Sequence, residues 1–198
     1  KLSEYKLENR VNIKRLKLGS NLQIGPFDIA LFELNHSVPE MNALVFNTKY
    51  GKIVHSGDWR FDDAPVIGRA DDYEALAKMG EGGVTALICD STNIFNKGES
   101  GSEGTLQKKL ISLIKEKKNL VVVSSFASNV GRLVSIMKAA KEANRKLLIL
   151  GSSMHRMIEV AKKSNFIPSY FDEISPEEFK KYKRKDVLIL ATGSQGED

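Results

Sequence analysis

Two hydrophobic rhythms divide the chain. From Asp28 to Asn35 apolar residues alternate with polar ones (Ile29, Leu31, Phe32, Leu34), and Ala43 to Asn47 forms a second short apolar run. Lys49-Tyr50-Gly51 has turn character, and Lys52 to Ser56 is a third run. A period of two, broken by turn residues, predicts consecutive strands in a β-meander. Each strand stops at polar residues: Asn35-His36, Asn47-Thr48 and Gly57-Asp58.

From about residue 84 the period lengthens. Val84 to Cys89 reads as a strand of the buried type ending at Asp90. Ser100 and Glu103 have capping-box spacing and predict a helix to about Lys118, with Leu106, Leu110, Leu113 and Ile114 on one face. Strands are then expected at Leu120–Val123, Lys146–Leu150 and Val187–Leu190, with helices from Val130 and over Met154–Ser164. Ser175-Pro176-Glu177-Glu178 gives a further helix start. Four strand–helix repeats predict an α/β architecture with a parallel, doubly wound sheet. Such sheets bind ligands beyond the carboxyl ends of their strands. Those ends read Asp90-Ser91-Thr92-Asn93, Ser124-Ser125-Phe126-Ala127-Ser128-Asn129, Gly151-Ser152-Ser153 and Thr192-Gly193-Ser194. Their small polar side chains can cap helices or hold phosphate oxygens, and both uses remain open at each loop.

Composition narrows the picture. The 198 residues are 41% hydrophobic and 28% charged, as in a globular protein rather than a disordered one. No apolar run reaches the ~20 residues that span a bilayer. The one cysteine, Cys89, cannot form an internal disulfide, which fits a reducing, cytoplasmic setting. The net charge of +5 is unevenly spread. Residues 51–100 carry five basic and nine acidic residues, whereas residues 101–150 carry ten basic and three acidic. The first balance suits a cation, and the second suits a polyanion such as nucleic acid.

Several residues could carry chemistry. His36 follows an apolar strand and sits in a loop stiffened by Pro39, and from this stretch it reads either as a surface or turn histidine or as a metal-ligating imidazole. Asp58 ends the next strand pair, after Gly57 and beside Trp59 and Phe61. His55 lies out of phase with Ser56 and reads as structural, and Asp62-Asp63 reads as a solvated turn.

The runs Asn35-His36-Ser37-Val38-Pro39, Ile53-Val54-His55-Ser56-Gly57-Asp58-Trp59-Arg60-Phe61-Asp62 and Cys89-Asp90-Ser91-Thr92-Asn93 resemble the ribonuclease J family. So do Phe126-Ala127-Ser128-Asn129-Val130 and Ala191-Thr192-Gly193-Ser194-Gln195-Gly196-Glu197, in the family's order. The resemblance implies part of a metallo-β-lactamase domain over residues 1–92 and part of a β-CASP domain over 93–198. It implies two zinc ions per intact subunit, His36 ligating one and Asp58 bridging both. Asp90 then matches the β-CASP acidic residue that supports the metal site and proton transfer. Ser91, Asn93, Ser128 and Asn129 become candidates for holding RNA phosphates, and a homo-oligomer is expected of the intact protein.

In the family a His-x-His-x-Asp-His segment supplies most zinc ligands. It is expected before residue 1, and further histidine motifs are expected after residue 198. The implied function is zinc-dependent hydrolysis of RNA, endonucleolytic or from the 5′ end, with residues 1–198 alone inactive. Two alternatives stay open: a non-catalytic RNA-binding scaffold that has lost its metal ligands, and a hydrolase of small molecules on the same fold. The long α/β segment after Asp90 disfavours the second. Neither Gly-x-Gly-x-x-Gly nor P-loop spacing occurs, which disfavours a nucleotide-binding module.

Overall fold

The computed structural model describes residues 2, 5–168, 171 and 173–193. The end of the closing run, Ser194 to Glu197, lies outside the described residues. Two sheets organise the chain. The first has the order β1 (Asn21–Ile24), β2 (Phe27–Glu33), β3 (Asn42–Thr48), β4 (Gly51–His55) and β5 (Ala86–Ile88). The first four strands form the expected meander, with β1 added before it, and β5 joins β4 in parallel. Val45 and Val54 are paired across the β3–β4 ladder and share a buried face with Ala43. Gly51 closes the tight β3–β4 turn at φ +116°, where a Cβ would strike the Thr85 side chain, so glycine is required there.

β5 departs from expectation. Its apolar residues predicted burial, yet Leu87 and Ile88 are 63% and 55% exposed. The run stands at the outer edge of this meander instead of inside the second sheet. An edge position leaves one ladder side and much of both faces open. Helix α1 (Tyr73–Gly80), opened by Asp72 accepting from the Ala75 N–H, lies between β4 and β5 and supplies the crossover that their parallel pairing needs.

The second sheet has the order β6 (Val121–Ser124), β9 (Val187–Ala191), β7 (Lys146–Leu150) and β8 (Glu173–Ile174), all parallel. Helices α2 (Glu103–Glu116), α3 (Val130–Glu142) and α4 (Ser152–Lys163) bury Ile114, Leu133, Ile136 and Met154 in one core with Leu147, Ile149, Leu188 and Leu190. Strand alternation turns Leu148, Val187 and Ile189 to the other face, against Phe179 and Tyr182.

The expectation of a doubly wound sheet is therefore corrected. Among the described residues the three α-helices share a single core, and the opposite face carries two short 3-10 turns, Glu178–Lys181 and Arg184–Asp186. Ser175 and Glu178 do make reciprocal capping bonds, at 3.2 and 2.9 Å. The chain then crosses the short path to β9 before an α-helix can develop. A second correction concerns α2. Its cap is Ser102, accepting from Gly104 N–H, and not Ser100. Glu103 is the first helical residue, and its side chain is buried for a different purpose described below.

Leu133 is fully buried where α3 meets the sheet. Leu133→Ala is expected to destabilise the chain by about 3 kcal/mol, read by urea unfolding, with little change in the unfolding slope.

Candidate functional site

β2 and β4 both run antiparallel to β3, and β5 runs parallel to β4, so these three strands end at the same edge. The loop after each carries one of the expected site residues: His36, Asp58 and Asp90. Main-chain bonds hold the loops together. The Arg60 N–H donates to the Asn35 carbonyl at 2.8 Å, beside His36. Asp71 accepts from the Asn35 N–H at 3.0 Å and from the Asp62 N–H at 2.8 Å, so one carboxylate braces both loops. The Asn35 amide donates to the Arg69 carbonyl at 2.7 Å.

The third loop is tied as firmly. Ser56 N–H donates to the Ile88 carbonyl at 2.9 Å, and Asp90 N–H donates to the Ser56 hydroxyl at 3.2 Å. Gly57 supplies the turn into Asp58 with φ +62°, and a Cβ there would press on the Met41 terminal methyl at 3.0 Å.

The Asp90 carboxyl is held below the usual carboxylate range. The Thr92 hydroxyl contributes most, followed by the Thr92 N–H, and partial burial opposes them. The positive charge of protonated His36 and the Trp59 N–H also favour the anion. Asp90 is thus an anion whose surroundings include His36 and the residue next to Asp58. The bonds from Arg60 to Asn35 and from Asp90 to Ser56 set the three loops side by side. His36 Nδ1 is 3.1 Å from the Ser37 hydroxyl, which leaves Nε2 as the nitrogen for any ligand. Asp58 is exposed. His55 fits its structural reading, its Nδ1 accepting from the Gly57 N–H at 3.1 Å.

One imidazole and two carboxylates are suitable donors for zinc. Their number is not sufficient: among the described residues no group of three His, Cys, Asp or Glu side chains is placed to hold a metal ion. The donor types fit the expected metal, and the described residues alone do not assemble a full ligand set.

The expectation of four phosphate-type loops on one edge is corrected. Asp90-Ser91-Thr92-Asn93 follows β5 of the first sheet, whereas the loops after β6, β7 and β9 belong to the second. The two groups still approach each other. Val130 N–H, at the start of α3, donates to the Ser37 carbonyl at 3.1 Å, which sets the Ser128-Asn129 loop against the His36 loop. Ser91, Asn93 and Ser128 are exposed, and Asn129 is partly buried. Asn93 accepts from the Asn96 amide at 2.7 Å, and Asn129 caps α3 by accepting from the Arg132 N–H at 2.9 Å.

A buried ionic junction beneath the cleft escaped the sequence reading. Asp62 is 3% exposed and not a solvated turn residue. Its carboxylate accepts from the N–H groups of Ala64 and Glu103, both at 2.9 Å, and from Arg60 at 3.3 Å. Burial pushes the Asp62 pKa up, but the Glu103 and Ala64 N–H groups, Ser102 and Arg60 outweigh it, and the net direction is downward. Glu103 receives a bidentate Arg132 at 2.8 and 3.1 Å and the Ser135 hydroxyl at 3.2 Å. Arg60 lies 4.0 Å from the same carboxylate. The only prior signal for these residues was local: a turn for Asp62 and a helix start for Glu103. Their pairing across 41 positions has no sequence signature.

A mixed α/β chain whose second part is a parallel sheet with helices on it, joined to an antiparallel meander, is the class the coordinates define. A crystal structure of a protein of unknown function from Enterococcus faecalis has the same fold over 93% of this chain and 46% of its own, with a TM-score of 0.62 at 16% identity. Residues 118–198 match the family described as "Ribonuclease J, beta-CASP domain". Ribonuclease J of Sinorhizobium meliloti is 38% identical over 192 residues, covering 97% of this chain and 34% of the relative. Ribonuclease J of Corynebacterium glutamicum is 37% identical over 179 residues, covering 90% and 25% respectively. The chain is thus similar to ribonuclease J over nearly its whole length, and it spans about a third or less of the length of these relatives.

Asp62 stays ionised in the fold below the pH at which an unfolded aspartate, near 3.8, takes up a proton. Its stabilisation is therefore complete above that value and lost as pH falls through the lower folded value. Asp62→Asn is expected to cost about 2 kcal/mol at neutral pH in urea unfolding. The gap from the unsubstituted chain should narrow steadily below pH 3.8.

Proposed function

We propose that residues 1–198 form part of a zinc-dependent ribonuclease that hydrolyses RNA phosphodiester bonds. Residues 1–92 belong to its metallo-β-lactamase portion, and residues 93–198 to its β-CASP portion. The observation that carries this reading is the bond from Arg60 N–H to the Asn35 carbonyl, which clamps the Asp58 loop to the His36 loop beside Asp90. His36 Nε2 and the Asp58 carboxylate would be the residues of this chain that hold zinc. The remaining ligands come from sequence outside residues 1–198. Zinc supplies Lewis acidity and a hydroxide-like water at neutral pH.

The chain's own residues contribute the setting. Asp90, held ionised by Thr92, orients protons at the site and balances the positive charge beside it. Ser91, Asn93 and Ser128, with the amino end of α3 at Asn129, hold phosphate oxygens of the RNA. The indole of Trp59 packs against Phe61 at a tilt of 59°, with ring centroids 4.6 Å apart, and walls the Asp58 loop with apolar surface. The setting is cytoplasmic and the intact protein a homo-oligomer. No helix among the described residues is long and apolar enough to cross a membrane.

The test uses the full-length protein, 5′-monophosphorylated RNA and a chelator. His36→Ala and Asp58→Asn should lose bound zinc together with cleavage. Asp90→Asn should retain zinc and cleave about 100-fold more slowly or worse. Residues 1–198 alone should hold no stoichiometric zinc and show no chelator-sensitive cleavage. A full-length protein that binds RNA without metal and without cutting it would replace the enzyme reading with a scaffold.

A further inference from the structure

The site just described occupies the carboxyl edge of the strands. The amino edge of the second sheet carries a different feature. β6, β7 and β9 are parallel, so the segments entering them lie side by side there. Each segment is basic: Lys117-Lys118 before β6, Arg145-Lys146 at β7, and Lys183-Arg184-Lys185 before β9.

Arg145 fastens these entries together. It is 6% exposed, and its guanidinium donates to the carbonyls of Asn119 at 2.8 Å and Val187 at 3.2 Å, and to that of Lys117. Its charge is met by carbonyl dipoles and by no carboxylate among the described residues, so it adds to the field of the rim instead of cancelling it. Lys117, Lys118, Lys183, Arg184 and Lys185 are all exposed, and none forms an ion pair among the described residues. Within these entering segments Glu116 and Asp186 are the acids beside the five cations, Glu142 is paired with Lys115 at 3.0 Å, and Glu173 lies across from Leu147 on β8.

We infer that this amino-edge rim is a second nucleic-acid contact, an exosite that binds the phosphate backbone of single-stranded RNA away from the cleavage edge. The identity of the polyanion as RNA rests on the ribonuclease reading; the existence of an uncompensated cationic rim does not. β7 has five residues, so the rim lies about 17 Å from the carboxyl edge of its own sheet, where the Ser128-Asn129 loop meets the His36 loop. Tyr182 and Phe179 are packed against the sheet face, and no exposed aromatic interleaves the five cations. Binding here is therefore electrostatic and indifferent to sequence, with no base stacking. It would anchor a long RNA while a nearer stretch is threaded into the cleft.

The test compares the full-length protein with two charge-reversal variants. One is Lys183→Glu/Arg184→Glu/Lys185→Glu. The other is Lys14→Glu/Arg15→Glu/Lys17→Glu, which makes the same change in net charge at exposed positions elsewhere. Affinity for a fluorescent 30-nucleotide RNA is measured in chelator over a salt series, with circular dichroism confirming that each variant is folded. The rim variant should bind on the order of tenfold more weakly, and its slope of log affinity against log salt should fall by about 2, the share of three single-strand phosphate contacts. The control triple should change far less. Cleavage of a two-nucleotide RNA, too short to reach the rim from the cleft, should be unaffected by the rim variant.

Equal weakening by both triples would overturn the proposal in favour of net charge alone. A folded rim variant with unchanged affinity would also overturn it. Rim-dependent binding to phosphatidylserine–phosphatidylcholine vesicles, without rim-dependent RNA binding, would assign the surface to a membrane instead. Loss of RNA binding in the rim variant of a protein that cuts no RNA would sustain the exosite and remove the ribonuclease reading. Lys117→Glu/Lys118→Glu provides a second variant should the first fail to fold, with a slope change of about 1.4 for two contacts.

Discussion

A buried carboxylate, Asp62, stands between the two sheets, and the arrangement of the cleft depends on it. The loop that carries Asp58 ends in this residue, and its oxygens accept from the first turn of α2 and from Arg60. Glu103, the next acid inward, receives Arg132 from α3. The junction is thus a chain of alternating charges from the meander through α2 to α3. Burying charges is costly unless they are paired and hydrogen-bonded, and here the Asp62 oxygens meet N–H donors while Glu103 is bound by a bidentate guanidinium. Directional bonds of this kind fix an orientation between sheets in a way that apolar packing, which tolerates sliding, does not.

That fixed orientation has a functional consequence. The edge bearing His36, Asp58 and Asp90 is braced from within by Asp71 and from the side by the amino end of α3, which donates to Ser37. The loop around Ser128 and Asn129 therefore faces the same cleft as His36, although it belongs to the other sheet. His36 from the meander and Asn129 from the parallel-sheet layer line one cleft. The charge asymmetry of the sequence follows the same plan: acids concentrate around the cleft, and cations ring the far edge of the parallel sheet.

Much of this was legible beforehand because it is local. Alternation in Asp28–Asn35 gave the second strand of the meander, and periodicity from Val130 gave α3. The positions of His36, Asp58 and Asp90 at strand ends were legible because strands stop where polar residues begin. What failed was nonlocal. The apolar run before Asp90 looks like an interior strand, yet β5 pairs with β4 at an edge, a choice made by pairing partners and not by composition. Asp62 looks like any turn aspartate, since its burial depends on α2 arriving from 41 residues away. The 3-10 turn at Glu178 had every starting signal of a helix, and the short return to β9 cut it off.

The account stands or falls on whether His36 and Asp58 address one metal centre. The most direct measurement is a crystal structure of the full-length protein grown with zinc. It should show a His36 ring nitrogen about 2.1 Å from one ion and the Asp58 carboxylate at a similar distance from that same ion. Zinc bound through other residues, with either side chain turned away from it, would contradict the account.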